Sequence, residues 1–135
     1  MEYEFALTVP AATTAAAPYT SRLGLARGML ERARIHFPAG CQYLVHVQVR
    51  RGGHQIWPLE DDKDIAYEDF TWESIVPYPL LVAPYELQFL AWSPDADYNH
   101  TIRVGIEIGP APTPTSLDRL IDALNKFFRM LPGWR

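Results

Sequence analysis

Cysteine is almost absent from this chain: Cys41 is the only one in 135 residues. No intrachain disulfide is available, so the fold must hold by packing alone. A lone Cys in an apolar stretch reads as a small buried hydrophobe rather than a reactive thiol. No apolar run approaches the ~20 residues of a membrane-spanning helix. The first residues, Met1 to Phe5, are acidic and alternating, which does not read as a signal peptide. No general excess of positive charge exists either. The formal net charge is -4, which gives no basis for nucleic-acid binding.

Catalytic motifs are also missing. No G-x-S-x-G elbow, phosphate-cradling glycine loop or EF-hand spacing occurs. Gly40 and His46 fit the opening of a cupin-type metal motif, G-x5-H-x-H, but Gln48 stands where the second His belongs. A metal centre needs several converging ligands, and one His of the set does not supply them. Asp95 and Asp97 read as turn residues rather than calcium ligands. The expectation is no catalytic residue, no metal and no cofactor.

What the chain does contain is alternation and punctuation. It is 48% hydrophobic and 21% charged, with 12 Pro and 8 Gly, which suits one domain of many short strands. Tyr3, Phe5, Leu7 and Val9 alternate with polar or small residues, as a half-buried strand does. Pro10 ends that strand, and 10–18 reads as an extended arm or loop. Further strands are expected at 20–26, 29–37, 43–50, 54–57, 70–76, 85–92 and 98–108. The clearest places Tyr43, Val45, Val47 and Val49 toward the core, followed by the hairpin signal Gly52–Gly53. The expected fold class is mainly β: an antiparallel β-sandwich or jelly roll of about eight strands over 1–108.

A proline-rich linker, 109–115, leads to an amphipathic helix over 116–131. Leu117, Leu120, Ile121, Leu124, Phe127, Phe128 and Leu131 recur at spacings of three and four, so they share one helical face. These seven residues are the expected assembly interface. The polar side has mixed charge and few Lys, which disfavours a membrane-surface role. Charge is segregated elsewhere too. Residues 22–51 carry six Arg against one Glu, and 60–73 carry seven acids against one Lys. These are two solvated faces of one domain, or complementary patches that meet between subunits.

Two rival readings use other residues. Trp57 and Trp92 form an expected ligand platform if the sandwich is a carbohydrate-binding module. A cupin-like metal enzyme is the third reading. The segments 35–41 (IHFPAGC), 44–47 (LVHV), 53–58 (GHQIWP), 92–95 (WSPD) and 100–102 (HTI) together resemble small uncharacterised β-sandwich proteins of viruses and phages of thermophilic microbes. The resemblance spans about 35–108 and implies a virion structural component, such as a capsid decoration or surface protein. On this reading the chain is a non-enzymatic homo-oligomer whose partners are itself and a capsid or other structural lattice.

Overall fold

The computed structural model describes residues 1–111 and 114–130. Nine strands and one helix follow in chain order: β1 (Glu2–Val9), β2 (Tyr19–Gly24), β3 (Gly28–Phe37), β4 (His46–Arg51), β5 (His54–Trp57), β6 (Phe70–Ser74), β7 (Tyr78–Leu80), β8 (Glu86–Trp92), β9 (His100–Gly109) and α1 (Pro114–Arg129). One sheet runs β1-β9-β3-β6, with β7 also paired to β3; the other runs β2-β8-β4-β5. Every pairing is antiparallel.

The pairing is nested. Outermost joins outermost, β1 with β9, then β2 with β8, β3 with β6 and β4 with β5. A long hairpin wrapped into two facing sheets gives this order, which is the jelly-roll form of a sandwich. The eight strands expected from alternation are the eight of the roll. The ninth, β7, sits on the stretch of β3 that β6 does not cover, from Gly28 to Leu30. Its Pro79 hid it in the sequence. Proline is tolerated here because β7 lies at a sheet margin, where a missing ladder donor costs little.

Alternation sets the core. Ile102, Val104, Ile106 and Ile108 of β9 point inward, as do Val47 and Val49 of β4 and Leu87, Phe89 and Ala91 of β8. With Phe37, Ile35 and Leu23 they form one apolar cluster between the sheets. Outward rows carry cross-strand ion pairs: Arg34 Nη2 to Glu2 at 2.6 Å and Arg32 Nε to Glu73 at 3.0 Å. The basic and acidic segments therefore meet at Arg32–Glu73 within one molecule. Such exposed pairs contribute little stability each, about 0–1 kcal/mol.

Two local expectations are corrected. Tyr43 is 61% exposed rather than in the core, because β4 begins only at His46. Gly40, Gln42 and Tyr43 all have positive φ (100°, 49° and 61°). The Glu68 carboxylate holds this turn by accepting the Gly40 and Gln42 N–H groups. Tyr98 likewise lies outside its strand and is exposed. The 10–18 segment, expected as an extended arm or loop, is a loop tied to the roll. Ser93 N donates to Thr13 O at 2.9 Å, Ser93 Oγ to Pro10 O at 2.9 Å, and Ala11 N to Asn99 Oδ1 at 2.9 Å.

Gly28 opens β3 where strands crowd. A Cβ there would stand 2.4 Å from the Gly109 carbonyl oxygen and 2.6 Å from Ile108 Cγ2. The nearer atom is backbone and cannot swing aside. Gly28→Ala is expected to lower stability by about 1–3 kcal/mol, as overpacking does. Gly24→Ala is the control, since nothing lies within 4 Å of that Cβ. Urea unfolding of both variants checks this; equal midpoints would contradict the close packing.

Candidate functional site

The helix differs from the roll in what it leaves open. Three of its described apolar residues stand largely open: Leu120 is 58% exposed, Ile121 52% and Leu124 47%. Phe127 on the same helix and Met130 just after it are also exposed. Leu117 and Phe128 lie on α1, but their side chains, like all of Leu131, lie outside the described residues. Helical spacing explains the alignment, and the dipole suits Lys126 and Arg129 in the last turn. Pro114 opens the helix, two residues before the expected start; proline fits a first helical turn because its missing N–H has no intrahelical partner there.

The two tryptophans expected as a ligand platform separate. Trp57 is only 3% exposed. Its ring packs 6.1 Å from that of Trp72 inside the sandwich, so it offers no face to a ligand. The four-residue strand β5 has Ile56 and Trp57 buried side by side, which defeats a reading by strict alternation. Trp92 is half-buried on the outer face of the second sheet. His46 stands directly opposite it on β4 and stacks on it, with ring centroids 5.8 Å apart and planes 11° from parallel. One face of Trp92 is therefore already occupied.

His46 is itself held by Asp64, whose Oδ1 lies 3.0 Å from Nδ1. Asp64 belongs to the acidic loop 60–64, and two amides fasten the same loop. Gln48 Nε2 donates to Lys63 O at 2.7 Å. Gln55 Nε2 donates to Pro58, Glu60 and Lys63 carbonyls at 2.9–3.1 Å. Ile65 then pairs with Val47 through reciprocal 2.9 Å backbone bonds. The polar residues facing outward from β4 thus serve to pin a loop against the sheet. His46 points away from the roll's interior, where Val45, Val47 and Val49 point in. A cupin-like centre inside the roll would have to be built without it. Among the described residues, no three His, Cys, Asp or Glu side chains converge. Asp95 and Asp97 lie exposed in a turn after β8.

Cys41 is fully buried in the core cluster. Burial first, and then the nearby Glu68 carboxylate, push its thiol from 9.0 up to about 11. Ser93 is also buried, and its N–H and its Oγ both hold the 10–18 loop. Neither residue is presented as a nucleophile. No known protein family matches the chain, and no curated protein matches it either. No helix among the described residues is long and apolar enough to cross a membrane.

The raised thiol has a defined consequence. In the unfolded chain the thiol ionises near its ordinary value, so between about pH 9 and 11 the unfolded state loses its proton first. Stability from this group is intact below that window and falls as pH rises through it. At pH 8, Cys41 is expected to resist a thiol-specific disulfide reagent in the native protein and react fully in denaturant. Rapid native labelling would mean that the site opens.

Proposed function

We propose that this chain is a non-enzymatic structural protein that assembles with copies of itself through α1. The observation that carries the reading is the open apolar face of Leu120, Ile121 and Leu124. An isolated 16-residue helix is marginal in water, and proteins stabilise such helices by covering the apolar side. The fitting cover is the same helix of a second copy. Asp118, Arg119 and Asp122 fall within its first nine residues, and Lys126 and Arg129 in its last turn. An antiparallel pair brings Lys126 and Arg129 of each toward Asp118 and Asp122 of the other and opposes the two dipoles. One patch used twice closes on a two-fold axis.

The roll supports this reading without carrying it. Jelly rolls serve as capsid subunits, lectins and cupins alike, so the fold alone does not choose among them. The resemblance of 35–108 to virion-associated sandwich proteins favours the first. The finer proposal is a homo-oligomer or lattice component of a virion, such as a capsid decoration or surface protein. The roll supplies the bulk, and the helix supplies the attachment.

Light scattering of the full chain tests the assembly step. A discrete multimer is expected, falling to monomer in a Leu120→Gln, Leu124→Gln variant whose strand circular dichroism and unfolding midpoint are unchanged. A monomeric parent, or a variant of undiminished mass, would sink the proposal.

A further inference from the structure

A cleft of about 340 Å³ lies where the β4–β5 hairpin, β7 and the start of β8 come together. Arg51, His54, Tyr78, Pro84, Glu86 and Gln88 line it. Glu86 and Gln88 turn outward because Leu87 and Phe89, alternating with them, are buried in the core. The connection 81–85 crosses here from one sheet to the other. Arg51 Nη2 donates to Val82 O at 2.6 Å, which ties the hairpin to that connection and fixes one wall.

On the opposite sheet Arg34 is engaged by Glu2, and His36 by Thr71. By contrast, the side chains of His54, Glu86 and Gln88 make no hydrogen bond or ion pair among the described residues. Polar side chains gathered in a concavity and unpartnered within the protein are available to a ligand. Their chemistry narrows its class. Arg51 and Glu86 offset each other in charge, so nothing selects a strongly charged molecule. Glu86 only accepts hydrogen bonds, Gln88 both donates and accepts, and neutral His54 does one of each. Tyr78 and Pro84 add an apolar wall.

We infer that this cleft binds a neutral saccharide. Sugar hydroxyls donate and accept at adjacent positions, as this mixed set requires. The C–H faces of a sugar ring suit the Tyr78 and Pro84 surfaces. The volume lies at the small end of ligand clefts, which run about 300–1,000 Å³, so the ligand is one or two sugar rings. This site is separate from the Trp92–His46 stack, and it does not rest on self-assembly through α1.

The test is a panel of neutral mono- and oligosaccharides on an array, with each hit titrated by calorimetry against the full chain. At least one saccharide is expected to bind saturably. Glu86→Ala and Gln88→Ala should each weaken it about tenfold, the scale of one lost hydrogen bond to a charged or well-placed group. Neither change should move the unfolding midpoint, because neither side chain has a partner to lose. Trp92→Ala should leave the affinity unchanged. No saturable binding across the panel would overturn the inference. So would binding that survives both cleft changes, or binding lost only with Trp92.

Discussion

Strand β9 is hydrogen-bonded along both edges, to β1 on one side and β3 on the other. It buries four β-branched residues on its inner face. Without it, β1 has no sheet to join, and the first sheet is reduced to β3 with β6 and β7. The second sheet has a counterpart in β8, which joins β2 to β4. These two late strands convert a chain of hairpin arms into a closed pair of layers. No covalent link helps them, since the single cysteine is buried and unpaired. The cohesion is the apolar contact between the layers, whose strength scales with the area removed from water.

Loops are arranged around this fixed centre by side chains that reach back to them. Glu68 clamps the turn before β4, Ser93 and Asn99 hold the segment after β1, and Gln48, Gln55 and His46 hold the acidic loop. All but His46, which holds the Asp64 carboxylate, use a polar atom on a rigid strand or its flank to satisfy backbone groups that no ladder can reach. This explains why several histidines, acids and hydroxyls that invite a catalytic reading are already committed. In the cleft beside β7, the side chains of His54, Glu86 and Gln88 are not committed in this way among the described residues.

Much of the fold is legible in the alternation of β1, β3, β8 and β9, where one face is apolar and the other polar. The helix is legible from its three- and four-residue spacing. Errors arose where local pattern was overridden by distant contacts. Tyr43 continues the apolar alternation of β4, yet a carboxylate 25 positions later in the chain holds it in a turn. Trp57 misleads because a four-residue strand has too few positions to assign a face. β7 is too short and too proline-marked to register as a strand. The cleft was illegible for a related reason. Arg51, His54, Tyr78, Glu86 and Gln88 come from three separate stretches, brought together only by the crossing between sheets. No spacing motif records such a meeting.

Nested pairing also dictates when this protein can become itself during synthesis. β1 is the first strand of the roll in chain order, and its partner β9 is the last, with Glu2 opposite Glu107. At about 5–20 residues per second, the nascent β1 waits roughly 5–20 s before its partner exists. Throughout that interval Tyr3, Phe5, Leu7 and Val9 stand on an edge with no neighbour, open to pairing with another chain. The outward acids Glu2 and Glu4 lie on that same strand, and their mutual repulsion between chains discourages early union. Translation thus sets a delay, and the charges that look ornamental in the finished roll guard its first strand until the last one arrives.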